Sequence, residues 1–586
     1  MQKKKISNKI IFISLTIVTF LLYWYGKEIA SYFDSKWLVK YPKHYSFPFA
    51  IYTTSFVKWL INEANFWLFT FNDLTRFFAW IIEQPYNIVL AIFSKGILKG
   101  QGQDAIQIME PLSWISVVGI FFTLALYTRD KFLIILVVLS IVYLAVFDQW
   151  QSSMITLSSI IIAVPIGVIL GILLGILSYK SKILEKIITP ILDLMQTVPV
   201  FAYLVPILVM FGFGPVSALI ATIIYAMPPM VRTTLLALNN IDPQLKESGL
   251  MSGCTERQLM WKVLIPVSKP TLLIGVNQVI MLSLNMVIIA SMIGAGGLGY
   301  DVLASLRRLD IGGGIESGIA IVVIAIALDR LSQSFANLPT LSKKTQQTFY
   351  NKYKKIILLI FYIIGIYILG TFFTFFKLFP KELMINTSLF WEELVKYINI
   401  NYFDNLESFK ITLLTFFMLP IKKFFLGIPW PWFIFIITII GWYFGKLKLA
   451  LLCLTMSIFI VTTGLWEKAM ITLYLCGSSV IIASIIGIPL GVWAGLNDRA
   501  NKVLTAFIDT LQTLPSFVYL IPVVMLFRVG DFTAMIAVIL YALAPAVRYT
   551  AHGVRNINSQ IVEAALISGC SQRQLLFKIK LPLALP

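Results

Sequence analysis

Charged residues, cysteines and histidines are scarce in this sequence. Asp, Glu, Lys and Arg together make up 13% of the 586 residues, whereas apolar residues make up 58%. Soluble globular proteins average about 25% charged and about 45–50% apolar residues, so the composition excludes an ordinary soluble protein. The sequence therefore predicts an all-α protein whose apolar helices cross the membrane many times.

The scarcity of cysteine and histidine excludes several kinds of site. No two cysteines form a C-x-x-C pair, which argues against a metal site and against a disulfide framework. With two histidines in the chain, a histidine-based metal or catalytic centre is not expected either. We therefore predict no metal, no cofactor and no catalytic residue. The residues concerned are Cys254, Cys453, Cys476, Cys570, His44 and His552.

Basic residues outnumber acidic ones and give a formal net charge of +19. Because they fall in short clusters between apolar runs, they fit the excess of Lys and Arg in the cytoplasmic loops of membrane proteins. We therefore predict no nucleic-acid partner. The sequence also lacks the phosphate-binding motif G-x-x-x-x-G-K-[ST], so any ATP must be hydrolysed by another polypeptide.

Two stretches of the chain are copies of each other. Residues 150–270 align without a gap on residues 466–586, a shift of 316, and 48 of 121 positions are identical. Shared Gln, Pro, Tyr and Arg residues, such as Arg232 and Arg548, are stronger evidence than the Leu and Ile that any two membrane helices share. The two copies are expected to have one fold.

The repeat divides the chain into four regions. They are an N-terminal span with an aromatic amphipathic region (1–111), the first copy (112–336), a basic linker with an extra span and an outer amphipathic segment (337–428), and the second copy (429–586). The aromatic region favours helices lying at the membrane interface, with a small soluble subdomain as the alternative. The second copy lacks two final spans, so we expect the chain to be a fragment of a longer reading frame.

Apolar runs predict the membrane spans and their orientation. The spans lie at about 10–25, 114–127, 132–147, 153–178, 188–211, 216–236, 270–293, 315–333, 356–377, 431–445, 448–463, 469–495, 504–527 and 532–550. If the spans alternate, the basic joints fall on the same side as Lys3–Lys5. This predicts a cytoplasmic N-terminus, cytoplasmic loops at 237–269 and 551–586, and outer segments at 26–113 and 378–428.

Each copy contains a loop with the same pattern of Glu, Gly and Pro. A helix that begins with Glu, carries a Gly for close approach and is followed by a Pro that stops the next turn suits a surface helix pressed into a groove of a partner. Chance could produce this pattern once in a loop, but hardly twice in one register. The loop residues are Glu247, Gly253, Pro266, Glu563, Ala564, Ala565, Gly569, Ile579, Leu581 and Pro582.

A glutamine in each copy is followed by prolines three and ten residues later. Each proline removes a backbone donor and bends or breaks the helix. A broken span is tolerated in the membrane only where it faces protein or a watery cavity, and transporters build substrate pathways in this way. The alternative is a glutamine that bonds to a neighbouring helix. The predicted pathway residues are Gln196, Pro199, Tyr203, Pro206, Gln512, Pro515, Tyr519 and Pro522.

Glycine occurs in two patterns. The run 294–299 matches the dinucleotide motif G-x-G-x-x-G, but it follows a membrane helix rather than a strand, so nucleotide binding is rejected. A flexible, outward-facing turn or gate fits the context better. Glycines at every fourth position in 167–175 and 487–495 predict close packing of neighbouring helices. The gate residues are Gly294, Gly296, Gly297 and Gly299.

At these residues the chain resembles the membrane permeases of binding-protein-dependent ABC importers, whose loop reads E-A-A-x3-G-x9-I-x-L-P. Residues 563–582 match it at every defined position, whereas the first loop keeps only Glu247, Gly253 and Pro266. The Gln-Thr-x-Pro-x-Phe-x-Tyr-Leu-x-Pro stretches and the glycine run further resemble the glycine betaine/proline betaine permeases of that family.

The resemblance implies two tandem type I importer domains, the second truncated, in the plasma membrane of a prokaryote. It also implies an importer of compatible solutes, two cytoplasmic ATPase subunits docked on the loops, a periplasmic or extracellular solute-binding protein and surrounding membrane lipid. The altered Ser248-Gly249 predicts a weaker first dock. The alternatives are an importer of another solute, such as an amino acid, and an ion-coupled transporter, which needs ionisable residues inside the membrane.

Overall fold

The chain is almost wholly helical in the residues that the computed structural model describes, which are 2–39, 41–64, 69–99, 106–336, 349–513 and 516–584. This confirms the all-α prediction with one exception. Strands β1 (Ile97–Lys99) and β2 (Ile106–Met109) form an antiparallel ribbon in which Ile97 pairs with Met109. The sequence does not predict the ribbon, because strands this short show no clear alternation of apolar and polar residues.

Most helices follow the predicted spans, with short helices between them. The first fourteen are α1 (Gln2–Tyr32), α2 (Phe49–Asn62), α3 (Phe71–Leu90), α4 (Trp114–Leu126), α5 (Lys131–Val146), α6 (Trp150–Lys180), α7 (Lys182–Thr197), α8 (Val200–Phe211), α9 (Pro215–Asn239), α10 (Pro243–Met251), α11 (Glu256–Gln258), α12 (Ile265–Ala290), α13 (Leu298–Arg308) and α14 (Ile311–Ala336). The others are α15 (Phe349–Phe372), α16 (Thr374–Lys377), α17 (Ser388–Leu413), α18 (Leu419–Gly427), α19 (Trp430–Thr462), α20 (Trp466–Leu496), α21 (Asp498–Thr513), α22 (Ser516–Phe527), α23 (Asp531–Arg555), α24 (Ser559–Ile567), α25 (Gln572–Gln574) and α26 (Leu581–Ala584). In the described parts of the chain, π turns extend or join helices at Ala91–Lys95, Leu259–Leu264, Leu414–Met418 and Leu575–Lys580.

Nine helices within the described ranges are long and apolar enough to cross a membrane, or ten if the bent pair α7–α8 forms one span. One of the nine is α3 with its π turn, Phe71–Lys95, where the sequence favours an interface helix. The charges of Asp73, Arg76 and Glu83 interrupt the apolar pattern and hide the length of this helix from the sequence. The location of this helix at the membrane interface stays a prediction.

Helix α19 contains two predicted spans folded back on each other. The backbone breaks at Gly445 (φ −132, ψ 18) and Lys446 (φ 55, ψ −150). A Cβ atom added at Gly441 would lie 3.0 Å from Cys453 Sγ, whereas these residues would stand about 18 Å apart along a straight helix. The two predicted segments therefore form a helical hairpin, at positions equivalent to α4 and α5 of the first copy, and their crossing of the membrane stays a prediction.

The chain divides into two compact units. The first-copy unit contains Leu60–Ile398 and Asp509–Met525; the second-copy unit contains Met1–Trp59, Asn399–Ile508 and Leu526–Pro586. Most of α22 therefore belongs to the first-copy unit, although its sequence belongs to the second repeat. Ile521 of that helix is fully buried in the first-copy core and lies 3.4 Å from the Cβ position of Gly314. The sequence boundaries of the four regions stay predictions.

Glycines allow the central helices of each unit to pack closely, with the backbone of one helix against the Cβ atoms of the other. A Cβ atom at Gly171 would lie 2.6 Å from Met230 Cβ, and one at Gly175 would lie 2.5 Å from Thr234 Cβ. Helix α6 therefore packs directly on α9, which confirms the packing role predicted for these glycines. The same contacts recur 316 residues later between α20 and α23, as Gly487 with Ala546 at 2.7 Å and Gly491 with Thr550 at 2.6 Å.

Candidate coupling loops and translocation path

The loop of the second copy is a short helix closed by a glycine turn. Helix α24 begins after Asn558, whose side chain accepts a hydrogen bond from the Gln560 N–H at 2.9 Å. It ends at Ile567, and Gly569, two residues later, has a φ of 77. The following Cys570 N–H donates to the Ala565 carbonyl at 3.1 Å. This left-handed residue with its back-bonded neighbour is a glycine helix stop.

Glycine is required in this turn by its backbone conformation and not by crowding. No described residue other than the chain neighbours lies within 4 Å of the Cβ position of Gly569 or of Gly253. Both residues have a positive φ, 77 and 76, which costs other residue types energy. The close approach to a partner that the sequence predicts at these glycines stays a prediction.

The loop of the first copy has the same construction despite its altered motif. Asp242 accepts from the Gln244 N–H at 2.9 Å, and the Cys254 N–H donates to the Gly249 carbonyl at 3.2 Å. Gly249 replaces the motif alanine, and a Cβ atom there would lie 2.6 Å from Leu259 Cδ1. The substitution therefore lets Leu259 approach the helix more closely and leaves the backbone of the loop unchanged.

The loop prolines do not stop a helix, which corrects the sequence interpretation. The chain is helical from Glu256 through Ala290, and Pro266 is the second residue of α12. Because proline has no N–H, the regular ladder cannot continue there, and the preceding residues form a π turn in which the Ile265 N–H bonds to the Met260 carbonyl.

In the second copy, a π turn likewise precedes the loop proline, Pro582. The Leu581 N–H bonds to the Leu576 carbonyl within the π turn Leu575–Lys580. Pro582 is exposed, and Ile579 and Leu581 are half-buried. Capping boxes precede both π turns, with Thr255 and Gln258 in the first copy and Ser571 and Gln574 in the second.

The two loops present matching surfaces to their surroundings. Glu247 and Glu563 are exposed, as is Ala564, whereas Gly249 and Ala565 face inward and are buried. Around each glutamate stand exposed apolar side chains that the motif does not include. The pairs, each 316 residues apart, are Leu245 with Ile561, Leu250 with Leu566, Met251 with Ile567 and Trp261 with Phe577. The sequence shows that these positions are apolar in both copies, whereas their exposure is shown by the structure.

The predicted span at 188–211 is broken into two helices. Helices α7 and α8 meet at an angle of 104° around Val198 and Pro199. Gln196, Pro199 and Pro206 are exposed near the bend. This confirms the break predicted at Pro199, whereas Pro206 lies inside α8, which continues through it.

Tyr203 supplies the hydrogen-bond donor that Pro199 lacks. In an unbroken helix the carbonyl of Met195 would accept from the N–H of residue 199, which proline lacks. The hydroxyl of Tyr203 donates to that carbonyl instead, and the Tyr203 ring also makes an edge contact with Tyr225. An ion pair between Arg232 and Asp193 joins α9 to α7 beside the bend. The sequence alone did not single out this use of Tyr203.

The corresponding stretch of the second copy lies in the same compact unit. Tyr519 is buried, while Gln512 and Pro522 are half-buried. Pro515, also predicted to line the path, lies outside the described residues. Both glutamine–proline stretches are thus components of the first-copy unit.

The glycine run is a packed turn between α12 and α13. A Cβ atom at Gly297 would lie 2.5 Å from Thr156 Oγ1, and the Leu298 N–H donates to that oxygen at 3.0 Å. Gly294, Gly296 and Gly297 have φ of 105, 71 and 71. Gly297 and Gly299 are buried, so within this conformation the turn is held rather than free, and its role as a gate stays a prediction.

Asp301 lies on α13 just after this turn. Burial raises the pKa of its carboxyl, and a hydrogen bond with Ser152 partly opposes that shift. Its position therefore adds a second polar contact between the turn and the start of α6.

Comparison with known proteins identifies the repeat. Residues 167–338 and 487–586 match the family described as binding-protein-dependent transport system inner membrane component. The matched regions include the broken span, the glycine run and the first loop in one copy, and the second loop in the other. Both copies therefore match the same family.

Several curated relatives are similar to longer or shorter parts of the chain. The trimethylamine N-oxide transport system permease protein of Pelagibacter ubique is 38% identical over 531 residues, which cover 88% of this chain and 73% of that protein. The glycine betaine/carnitine transport permease protein of Listeria monocytogenes is 46% identical over 188 residues, 32% of this chain and 65% of that protein. The glycine betaine/proline betaine permease protein of Escherichia coli is 42% identical over 195 residues, 33% of this chain and 55% of that protein.

Proposed function

We propose that this chain, which belongs to the family of binding-protein-dependent transport system inner membrane components, is the translocation subunit of an ATP-driven importer of small methylated amines. It is a multi-pass membrane permease and not an enzyme. The observation that carries the proposal is the pair of surface loops that have one backbone geometry, an exposed glutamate at the same motif position and matching apolar neighbours.

Two such loops support docking of two cytoplasmic ATPase subunits. An exposed short helix with apolar side chains around a charged residue fits a groove in a partner. Because the chain has no phosphate-binding motif of its own, energy must reach the path through these contacts. A solute-binding protein outside the membrane would then deliver the substrate to the opposite face.

The relatives support the class of substrate. Their names include trimethylamine N-oxide, glycine betaine and carnitine, which all carry a fully methylated nitrogen. The relative named for trimethylamine N-oxide aligns over 88% of the chain, so the alignment includes parts of both copies. We therefore propose that trimethylated zwitterions are transported, and that the cation–π contacts they need are made chiefly by the solute-binding protein.

Uptake into sealed vesicles tests this function. Vesicles holding the chain, its ATPase and its binding protein should accumulate labelled trimethylamine N-oxide and glycine betaine only with ATP, while proline and choline separate methylated zwitterions from other solutes. Preferential uptake of proline or another amino acid would overturn the substrate class. Equal uptake without ATP would overturn the function itself.

The orientation rests on the alternation of spans and basic joints. We propose that the N-terminus, loop 237–269 and loop 551–586 are cytoplasmic, in the inner membrane of a prokaryote. A single cysteine placed by Glu256→Cys in a background without natural cysteines should react with an impermeant maleimide only from the cytoplasmic side. Reaction only from the outside would invert the whole arrangement.

An ion-coupled mechanism is the second candidate, because two acids are buried in the span α14. These acids, Glu316 and Asp329, are 5% and 3% exposed. Glu316 accepts a hydrogen bond from Thr387 Oγ1 at 2.7 Å, and Asp329 accepts from Gln333 at 2.9 Å. These contacts give both acids an anchoring role, and the vesicle experiment separates the candidates by its dependence on ATP.

A further inference from the structure

Arg555 lies where the second loop joins the central helices of the second-copy unit. It is the last residue of α23, and its guanidinium donates to the Ala494 carbonyl from Nε at 3.3 Å and from Nη2 at 3.2 Å. The same Nη2 forms an ion pair of 2.6 Å with Asp498. Ala494 belongs to the last turn of α20, and Asp498 is the first residue of α21. One side chain therefore joins three helices.

Both ends of the second loop are attached to the last turn of α23. Residues 556–558 connect Arg555 with the start of α24, the helix that carries the exposed Glu563. At the other end of the loop, a Cβ atom at Gly553 would lie 3.1 Å from the Ala584 carbonyl oxygen. A displacement of α24 by a partner is therefore expected to reach the last turn of α23 first.

Helices α21 and α23 are separated by a cavity beside this contact. Its volume is about 190 Å³, and polar side chains such as Asn501 of α21 and His552 of α23 line it. At the inner edge of the cavity the two helices meet in a buried apolar cluster that includes Ile508 and Val547. At the loop end they are joined by Arg555. The cavity thus leaves space in which α21 can tilt about the cluster, and the ion pair sets its position at the loop end.

The contacts of Arg555 suit a link that positions a helix and can also open. Carbonyl groups in the last turn of a helix lack helical donors and attract a cation, so the two bonds to Ala494 hold the guanidinium on α20. The side chains of Arg555 and Asp498 are 34% and 87% exposed. An ion pair this exposed contributes little to stability, so its loss is expected to change the position of α21 and not the folding of the chain.

We propose that Arg555 is a positioning residue, which latches the start of α21 to α20 and α23 and so passes movement of the second loop to the helix that carries Gln512. Helix α21 runs from Asp498 to Thr513, with Gln512 of the predicted path in its last turn. Rigid helices joined by ion pairs that have two arrangements can carry such coupling between distant sites. The latch rests on the proposed function, because it requires that an ATPase moves the loop.

The first copy has neither partner of this ion pair. The residues 316 positions earlier are Asn239 in place of Arg555 and Lys182 in place of Asp498, which cannot form it. The ion pair that joins the equivalent helices of the first copy, Arg232 with Asp193, lies beside the bend and not at the loop end. The latch is therefore expected to act through the second loop, and Asn239 provides a matched control.

The number of ATP molecules hydrolysed per solute taken up tests the latch in vesicles that hold the chain, its ATPase and its binding protein. Arg555→Leu and Asp498→Ala should each raise this ratio by roughly fivefold, the upper end of what a partly exposed ion pair supplies, with thermal unfolding close to wild type. Arg555→Lys keeps a cation opposite Asp498 and should restore most of the coupling, and Asn239→Leu should leave the ratio unchanged.

Three results would overturn the latch. The first is an unchanged ratio in Arg555→Leu. The second is a proportional fall of uptake, hydrolysis and thermal stability, which would give the contact a structural role only. The third is a raised ratio in Arg555→Leu but not in Asp498→Ala, which would reduce Arg555 to a cap on the end of α20.

A distance measurement tests the latch without transport. Lys502→Cys and Tyr549→Cys place spin labels on exposed positions of α21 and α23, in a background without the natural cysteines. The distance distribution from pulsed electron paramagnetic resonance should be broader in Arg555→Leu and Asp498→Ala than in the wild type and Asn239→Leu. Identical distributions would overturn the latch. A wild type without ATP-driven uptake would instead count against the proposed function, and the distances would still decide whether Arg555 positions α21.

Discussion

The two coupling loops have one backbone and two different sequences. The second loop matches the family motif at every defined position, while the first has Ser248-Gly249 where the second has Ala564-Ala565. Yet the two helix stops have φ of 76 and 77, and both loops continue into a capping box and a π turn. Within the motif the two loops also differ conservatively at Val263 and Ile265, where the second loop has Ile579 and Leu581.

The burial of Ser248-Gly249 and of Ala564-Ala565 shows which differences concern a partner. Gly249 and Ala565 face inward and pack against their own π turns, so a partner does not touch them. Ser248 and Ala564 are exposed and differ by a hydroxyl group. The geometry therefore predicts two docks of similar strength, whereas the motif alone predicts a weaker first dock.

The largest effect is expected where both copies need glycine for helix packing. Gly175→Leu and Gly491→Leu would drive a side chain into Thr234 and Thr550 and should destabilise the chain by about 3 kcal/mol each. Gly477→Leu on the same helix as Gly491 is the control, because no atom of the described residues is found within 4 Å of its Cβ position. Thermal unfolding and the yield of monodisperse protein measure the effect. If all three variants were equally stable, the two glycines would not be needed for helix packing.

Charge reversal at the exposed glutamates compares the docks directly. Glu563→Arg and Glu247→Arg should each reduce ATP-driven uptake by about tenfold or more without unfolding the chain, because losing a charged interface partner costs about 2–5 kcal/mol. Gly569→Trp should act similarly by adding bulk at the dock. Glu467→Arg, at the other end of the second copy, is the control. A normal rate for Glu563→Arg would remove the docking role, and a clearly milder Glu247→Arg would favour the motif over the geometry.

The bend in the first-copy unit should depend on one hydroxyl group. Tyr203→Phe leaves the Met195 carbonyl without its donor, at a cost of about 1–3 kcal/mol if the group stays buried. We expect reduced uptake and earlier thermal unfolding, with Tyr225→Phe as a control that keeps the ring contact. Unchanged stability and uptake in Tyr203→Phe would show that the bend does not rely on this bond.

The smallest effect is expected from restoring the motif in the first loop. In the double variant Ser248→Ala/Gly249→Ala, alanine gains about 1 kcal/mol of helix propensity at residue 249, while Leu259 must shift its side-chain end away from the new methyl group. These terms oppose each other, so uptake and stability should stay close to wild type. A marked gain in uptake would mean that the natural first dock is weak.

The sequence predicted the features that repeat and missed those that depend on close contacts. The 316-residue shift located both loops, the glycine packing and the broken span, because prolines and glycines act on the backbone locally. The sequence analysis placed the loop prolines at helix ends, because a π turn leaves no sequence pattern of its own. The hydrogen bond of Tyr203 and the exposed apolar residues around each glutamate emerged from the structure.

Tertiary placement was the part that no local pattern could give. The second-copy helix α22 belongs by sequence to one repeat and by contacts to the other unit, where Ile521 is buried. The apolar sequence of this helix does not indicate in which of the two units it packs. The ribbon of β1 and β2 likewise depends on which segments meet, and not on the composition of either strand.

Cross-linking of each loop to the ATPase is the most direct test of two equivalent docks. Met251 and Ile567 occupy equivalent positions and are 89% and 88% exposed, so Met251→Cys and Ile567→Cys should be equally accessible in a background without Cys254 and Cys570. Each variant, assembled with ATPase subunits, is treated with a short bifunctional thiol reagent. We predict that both loops form cross-links of similar yield, one subunit per loop. Cross-linking through Ile567→Cys alone, or through neither position in an assembled complex, would contradict two equivalent docks.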